Sequence, residues 1–159
     1  MEHIICRHLL IHFEKHRIRK SRNRGFRPGY FCETQLLINI HDLLSSHDAG
    51  IQTDLSILDF SKAVDAVPNR KVLHQLDKYV VRGTVHTWLG NFLTKWKMRV
   101  VLAGEVSEEV SADSGVPKGT VLGPLLFLCH MNDFSDSVES TLRLFADDCL
   151  LYREIRPTV

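Results

Sequence analysis

The chain has 159 residues, of which 44% are apolar and 25% charged, and its formal net charge is +1. This length and composition are typical of one folded domain with an ordinary core, so a disordered tail and a fibre are excluded. The longest mostly apolar stretch, residues 121–131, is far shorter than the roughly 20 residues of a membrane-spanning helix, and no signal peptide is recognisable. The four cysteines form no CxxC pair, which argues against a zinc knuckle or a disulfide framework. An intracellular, reducing compartment is expected, with nucleus or cytoplasm left open.

The charge is distributed unevenly along the chain. Residues 15–27 (KHRIRKSRNRGFR) contain seven Lys or Arg and no acidic residue, whereas the remaining residues carry a net charge of −6. A block of one charge sign is typical of a surface that meets phosphate, and a solvated arm or a localisation tag is the alternative. The candidate nucleic-acid-binding residues in this basic stretch are Arg17, Arg19, Lys20, Arg22, Arg24 and Arg27.

Two helices are predicted in the first third of the chain. Residues 4–16 carry apolar side chains four positions apart, as an amphipathic helix does. His8, His12 and His16 recur at the same spacing, but no third metal ligand stands nearby, so exposed or capping histidines are the better interpretation. A second helix follows a Gly/Pro loop at residues 25–30. Its apolar face carries Leu36, Leu37, Ile40, Leu43 and Leu44, and Gly50 lies beyond its end.

A strand is predicted at residues 53–60, where apolar and polar side chains alternate. Alternation places Leu55, Ile57 and Asp59 on the same face of this strand. Asp59 therefore stands at the end of an apolar stripe, where a lone carboxylate is costly unless it is paired or bound to a metal ion.

Two helices, a hairpin and a glycine-rich loop are predicted next. Pro68 opens the first helix and Thr84 caps the second, while residues 98–110 form a hairpin that turns at Gly104-Glu105. The glycine-rich loop at residues 115–123 (GVPKGTVLG) lets the backbone approach a ligand closely, and the helix after it begins at a natural anion site. The loop lacks the GxxxxGK[ST] spacing of a P-loop, and a flexible connector is the alternative.

The last predicted elements are two strands, residues 142–146 and 149–152, joined at Asp147 and Asp148. Two carboxylates at a tight turn can converge on one ion, and carboxylate oxygens suit Mg²⁺. The alternative is structural, because Asp is a common turn-forming residue. The order of helices, strand, helices, hairpin, helix and hairpin predicts an α+β domain with an antiparallel sheet.

Five segments, in this order, resemble the reverse transcriptase of non-LTR retrotransposons of the jockey or CR1 kind: GFRPGYFCETQLL (25–37), LDFSKAVDAVP (58–68), SGVPKGTVLGPLLF (114–127), HMND (130–133) and FADD (145–148). The resemblance implies an RNA-directed DNA polymerase with the right-hand fold, in which helices back an antiparallel palm sheet. It implies that residues 1–50 are a partial fingers segment and residues 51–159 a palm-like segment, with the thumb absent.

The resemblance also implies a site and its ligands. Asp59, Asp147 and Asp148 match the catalytic aspartates of the family, which would hold two Mg²⁺, or Mn²⁺, while a primer 3′-hydroxyl attacks the α-phosphorus of a dNTP and pyrophosphate leaves. An RNA template, a DNA primer and a dNTP are the implied partners, and no membrane is. The positions that match the family's nucleotide-binding segments are Val64, Pro117, Lys118 and Gly119.

Some residues depart from the family pattern, and these departures point to an alternative function. Val64 stands where the family usually has a Phe that excludes the 2′-hydroxyl, and Lys118 stands where it has a Gln. Asn69, Val80 and His130 also differ from the usual residues. The chain ends six residues after Arg153, so we expect these residues alone to be inactive. The alternative function is a catalytically inactive, truncated relic that at most binds nucleic acid.

Overall fold

The structure, a computed structural model, describes residues 1–20 and 22–155, without the side chain of Ser137. Residue 21 of the basic stretch and residues 156–159 of the predicted palm-like segment lie outside the described residues. The helices are α1 (Glu2–Lys15), α2 (Cys32–Asp48), α3 (Asn69–Lys78), α4 (Thr84–Thr94) and α5 (Gly123–Met131), with a 3₁₀ turn at Phe134–Ser137. The strands are β1 (Gln52–Leu58), β2 (Lys97–Met98), β3 (Val101–Leu102), β4 (Glu105–Val106), β5 (Val110–Ser111), β6 (Thr141–Phe145) and β7 (Asp148–Ile155).

The chain forms two compact units, and neither is continuous in sequence. Unit 1 comprises Met1–Arg19 and Lys62–His130, and unit 2 comprises Lys20–Ser61 and Met131–Val159. The predicted boundary between a fingers segment and a palm-like segment, at residue 50, falls inside unit 2. That boundary stays a prediction about the subdomains of the polymerase fold.

Unit 1 is mainly helical, and its core comes from apolar side chains at helical spacing. The fully buried side chains of its helices and of the loop before α5 are Phe13, Val72, Leu76, Leu89, Leu93, Leu122, Leu126 and Phe127. Two predicted helix limits are off by a residue or two. Pro68 is the N-cap of α3 and Gly83, not Thr84, is the N-cap of α4. Val80 lies beyond the end of α3 and is exposed.

The hairpin in unit 1 turns one residue earlier than predicted. Val101 pairs with Val106 and Leu102 with Glu105, so the two turn residues are Ala103 and Gly104. Both have positive φ, +50° and +90°, as the type I′ turn that matches strand twist requires. The prediction assumed that the glycine opens the turn, whereas it takes the second turn position.

Unit 2 is built on a three-stranded antiparallel sheet with the order β1-β7-β6. Helix α2 is attached to this sheet through Asp42, whose carboxylate accepts hydrogen bonds from Arg143 of β6 and Tyr152 of β7. The α2 face predicted to be apolar is largely exposed in the described part of the chain. Four of its five residues are between 43% and 67% exposed, and these are Leu36, Leu37, Ile40 and Leu44.

Candidate active site

Strand register brings the three predicted catalytic aspartates to one end of the sheet in unit 2. The β1–β7 pairing ends at Leu58 opposite Cys149, so Asp59 follows at the position opposite Asp148. The hairpin of β6 and β7 closes with Phe145 opposite Asp148, which leaves Ala146 and Asp147 as its two-residue loop. We call this edge, defined by Asp59, Asp147 and Asp148, the carboxylate end of the sheet.

Aromatic packing anchors the chain directly after Asp59. The ring of Phe60 meets the ring of Phe134 edge to face, with centroids 5.5 Å apart. Such pairs are worth about 0.5–1.5 kcal/mol beyond the area that they bury. The backbone that carries Asp59 is therefore held on both sides, by β1 before it and by Phe60 after it.

The environment of Asp59 differs from the prediction. Leu55 and Ile57, the apolar residues of its strand face, are 42% and 75% exposed, and Asp59 is itself exposed. The argument that an apolar surrounding forces this carboxylate to bind a cation is therefore wrong, because water can solvate the charge. Its register position opposite Asp148 is the feature that links it to the other two aspartates.

The donor set of the carboxylate end suits a hard divalent cation, but its side chains stand apart. Carboxylate oxygens are the ligands that Mg²⁺ takes in proteins, and Mg²⁺ keeps several waters and substrate phosphates besides. Asp59 and Asp148 are exposed and Asp147 is half-buried, so all three can be reached by an ion. Within residues 1–20 and 22–155, however, no three His, Cys, Asp or Glu side chains form a group that could hold a metal ion.

The histidines of α1 have structural surroundings. His12 Nε2 lies 2.7 Å from the backbone carbonyl of Tyr79, and its ring lies 4.5 Å from the ring of His16. In the part of the chain that the structure describes, these residues belong to no metal-binding group. His12 thus has a structural contact, and a metal role of these histidines is not tested by it.

Two residues that the sequence did not single out contact the turn at the carboxylate end. The Asn23 side chain donates a hydrogen bond from Nδ2 to the carbonyl of Ala146 (3.1 Å) and accepts one at Oδ1 from the Ala146 N–H (3.2 Å). Gly25 lies so close that a Cβ there would overlap the backbone nitrogen of Ala146. A sequence signal existed, because an Asn two residues before a Gly often forms an Asx turn, and Gly25 N–H does bond to Asn23 Oδ1 (3.0 Å).

The predicted nucleotide-binding residues come together in unit 1. The backbone N–H of Val116 donates to the carbonyl of Val64 (3.1 Å), and that of Gly115 donates to Val67 (2.8 Å). A side chain at position 115 would meet the backbone of Asp65, and Gly115 also has φ +91°, so the close seating of this loop depends on glycine. Val64 and the loop bearing Pro117, Lys118 and Gly119 therefore form one patch.

Lys118 has a partner that sequence reasoning missed. Its ammonium group lies 2.7 Å from the carboxylate of Asp65, and both side chains are exposed. Exposed pairs of this kind contribute about 0–1 kcal/mol, so a ligand phosphate could displace Asp65 at little cost. A cavity of about 610 Å³ opens beside the loop, and its lining includes Trp96, Met98, Asp65 and Lys118.

Several cations of the basic stretch are engaged within their own unit. In unit 1, Arg19 pairs with Glu14 at 2.8 Å and its side chain is only 11% exposed. In unit 2, Lys20 pairs with Asp136, and the Arg22 guanidinium donates to the carbonyl of Ser135 at 2.9 Å. These contacts leave fewer cations free to meet phosphate than the charge count predicts.

Tyr30 forms the aromatic centre of the remaining cations in unit 2. The guanidinium carbons of Arg24 and Arg27 each lie 5.2 Å from the centroid of its ring. Arg27 also donates to the backbone carbonyls of Lys20 and Asn23, which fixes its guanidinium. Arginine over an exposed aromatic ring is a common arrangement in proteins that stack single-stranded bases.

Comparison with known proteins identifies the family. The family described as reverse transcriptase (RNA-dependent DNA polymerase) matches residues 4–157. This chain belongs to the reverse transcriptase family. A similar protein is the probable RNA-directed DNA polymerase from transposon X-element of Drosophila melanogaster, 27% identical over 158 residues. The match covers 96% of this chain and 17% of that relative's length.

The match confirms the predicted resemblance to the reverse transcriptases of non-LTR retrotransposons, and the observed helices and antiparallel sheets confirm the α+β class. Reverse transcriptases are nucleotidyltransferases that act on RNA, DNA and dNTPs and use divalent metals such as Mg²⁺. Among the residues described here, no helix is both long and apolar enough to span a membrane.

Proposed function

We propose that this reverse transcriptase chain provides the metal-binding part of an RNA-directed DNA polymerase palm. The observation that supports this function is the strand register: the β1–β7 pairing ends at Leu58 and Cys149, so Asp59 follows directly after it at the end of the sheet where the hairpin bears Asp147 and Asp148. In this proposal the three-stranded sheet of unit 2 belongs to the palm. Residues 1–50 contribute part of the fingers, and residues 51–159 contribute most of the palm.

The three aspartates would hold two divalent cations at the carboxylate end. When bound, such ions activate an attacking hydroxyl and stabilise the leaving oxygen in phosphoryl transfer. Asp59 reaches the site from the end of β1, whereas Asp147 and Asp148 reach it from the hairpin turn. Because β1 and β7 are hydrogen-bonded, the backbone positions of these residues are set by the sheet, and their side chains would rotate to meet a shared ion.

The patch of unit 1 would bind the nucleotide. Val64 would face the sugar, and the loop Pro117-Lys118-Gly119 would lie against the base and the triphosphate. Lys118 would exchange Asp65 for a phosphate, because a phosphate carries more negative charge than the carboxylate that it replaces. Positioning accounts for much of phosphoryl-transfer catalysis, so these contacts matter even though they form no covalent bond.

Primer extension tests this function directly. We expect Mg²⁺-dependent extension of a DNA primer on an RNA template to fall by at least about 100-fold in Asp147→Asn, because the metal ion that stabilises the developing charge loses a carboxylate ligand. Asp54→Asn is the matched control: it removes an exposed carboxylate from β1, five residues before Asp59. Extension that survives in Asp147→Asn would refute the assignment of the site.

One observation favours a second function, which is nucleic-acid binding without catalysis. The three carboxylates form no ready metal-binding group within the described residues. Because these residues alone are expected to extend primers poorly, metal binding separates the two functions. A wild-type chain that binds RNA but shows no Asp147-dependent binding of Mn²⁺ would replace the first function by the second.

A further inference from the structure

The turn at the carboxylate end carries a backbone conformation that its sequence disfavours. Ala146, the first residue of the two-residue loop between Phe145 and Asp148, has φ +55°. Two-residue hairpin loops with positive φ at this position normally use glycine there, because a Cβ is crowded in the left-handed region. Ala146 is also buried, so its backbone groups need partners within the protein. Other contacts must hold this residue in place.

The carboxamide of Asn23 supplies those contacts. Its Nδ2 donates to the Ala146 carbonyl and its Oδ1 accepts from the Ala146 N–H, at 3.1 Å and 3.2 Å. The same Oδ1 accepts the N–H of Gly25 at 3.0 Å. A neutral amide is the side-chain group that offers a donor and an acceptor of this kind together, whereas a carboxylate offers acceptors alone. Asn23 thus satisfies both backbone groups of the residue that precedes Asp147.

Asn23 is itself held against the hairpin by backbone bonds on either side. The Leu144 N–H donates to the carbonyl of Arg22 (3.0 Å), and the Arg24 N–H donates to the carbonyl of Leu144 (3.1 Å). Asn23 is therefore bridged to β6 in parallel, as a short extension of the sheet. Gly25 follows where a Cβ would overlap Ala146, so the close approach of this segment requires glycine.

We propose that Asn23 is a positioning residue for the carboxylate end, which fixes Ala146 in the left-handed conformation and thereby sets where Asp147 and Asp148 point. The inference rests on the proposed function, because positioning matters for chemistry only if these aspartates bind metal. Asn23 touches neither substrate nor ion and acts through the turn. Residues that orient metal ligands from outside the ligand set commonly change metal affinity about 10- to 100-fold when they are removed.

Mn²⁺ titration of the 159-residue chain, followed by NMR, is the test. We expect Mn²⁺ to broaden the Asp147 and Asp148 amide signals of the wild-type protein, and Asn23→Ala to need about tenfold more Mn²⁺ for the same broadening. We also expect hydrogen exchange at the Ala146 amide to become at least about fivefold faster, because its acceptor is gone. Exchange at Tyr152, which lies opposite Leu55 in the middle of the β1–β7 pairing, should not change.

Asn132→Ala is the matched control. Asn132 also bonds a backbone group of unit 2 through its side chain, accepting the Lys20 N–H at 3.1 Å, but not at the turn. This variant should keep the wild-type Mn²⁺ affinity and Ala146 exchange. If Asn23→Ala does not fold, Asn23→Gln retains the buried amide but displaces it by one methylene, and the same two changes are expected in that variant.

The outcomes separate the inference from the function on which it rests. If Mn²⁺ broadens the aspartate signals equally in wild type and Asn23→Ala, the positioning role is wrong and the proposed function stands. If Mn²⁺ broadens none of them in wild type, the proposed function fails. Exchange at Ala146 then decides whether Asn23 holds the turn: an unchanged rate in Asn23→Ala overturns the inference in either case.

Discussion

Val80 occupies a backbone position that favours glycine. It has φ +62° and is 64% exposed, and it follows the C-cap of α3 at Tyr79. The N–H of Val80 bonds to the carbonyl of Asp77 (3.0 Å) and that of Val81 to Leu76 (2.9 Å), which is the Schellman pattern with Val80 at C′. A β-branched residue in the left-handed region costs about 1–2 kcal/mol.

Val80→Gly is therefore expected to raise the free energy of unfolding by about 1 kcal/mol, after the entropy that glycine adds to the unfolded chain is subtracted. Urea denaturation followed by circular dichroism measures this free energy of unfolding. Val85→Gly is the control, because Val85 lies within α4, where glycine lowers stability. A loss of stability in both variants would contradict the strain argument.

A second prediction at the scale of one residue concerns Val64 and the preference for dNTP over ribonucleotide, and it rests on the proposed function. A smaller side chain at the position that faces the sugar leaves room for a 2′-hydroxyl, and lost contacts of this size are worth about 1–3 kcal/mol of discrimination. We expect Val64→Phe to raise the preference for dNTP over the ribonucleotide by about tenfold or more in primer extension. Equal preference in the two proteins would show that position 64 is no steric gate.

At the scale of elements, α2 is joined to the hairpin by a cluster of three side chains. Asp42 Oδ2 accepts from Arg143 Nη2 at 2.7 Å and from the Tyr152 hydroxyl, and Arg143 Nε donates to the Tyr152 oxygen at 3.2 Å. Burial acts to raise the pKa of Asp42, but the hydrogen bonds from Tyr152 and Arg143 outweigh it and lower that pKa. Burial, and then the bond to Asp42, raise the pKa of Tyr152.

These shifts predict two limbs in the pH dependence of stability. Because the Asp42 pKa is lowered on folding, its contribution is present above the unfolded pKa near 3.8 and is lost as pH falls through the folded value. Because the Tyr152 pKa is raised, its contribution is present below pH 10 and is lost as pH rises through the folded value.

Tyr152→Phe should abolish the alkaline limb and lower the free energy of unfolding at neutral pH by about 1–2 kcal/mol, since a hydrogen bond to a charged carboxylate is lost. Urea unfolding measured across pH 3–11 provides the comparison. Tyr30→Phe is the control, because Tyr30 is exposed and its ring contacts the guanidinium groups of Arg24 and Arg27. If the alkaline limb persists in Tyr152→Phe, a different titrating group causes it.

At the scale of the whole molecule, charge separation predicts RNA binding. In the described contacts of the basic stretch, Arg17, Arg22 and Arg24 have no acidic partner, as also holds for Lys15, whereas Arg19 and Lys20 are paired with Glu14 and Asp136. We expect salt-sensitive binding that is indifferent to sequence, in which log K falls with log[salt] by about 0.7 per phosphate contacted on a single strand.

Replacing Arg17, Arg22 and Arg24 by Ala together should lower that slope by about 2 and weaken binding at low salt. Fluorescence anisotropy of a labelled RNA measures both. The control variant removes the same charge outside the stretch, at Arg82, Lys95 and Arg99, which are exposed. If the control weakens binding equally, net charge and not the basic stretch accounts for the interaction.

Helix ends show why part of the fold could be predicted and part could not. Three helices end in the same Schellman pattern, in which Gly50 closes α2, Arg17 closes α1 and Val80 closes α3. The end of α2 was predicted because a glycine marked it. The other two ends were not marked, because Arg and Val have no preference for positive φ. The Schellman hydrogen bonds hold these two residues at positive φ against their own propensity.

The sequence by itself determined the element types and the reverse transcriptase family, and it predicted the three aspartates as the site, because periodicity, turn residues and motifs depend on neighbours along the chain. Tertiary structure decided which residues meet across it. Asn23 meets Ala146 and Asp42 meets Arg143, contacts that join segments more than 100 residues apart. It also decided that Leu55 and Ile57 beside Asp59 are exposed. Alternation says that residues share a face, but burial requires a second layer against that face, and only the folded chain supplies or withholds it.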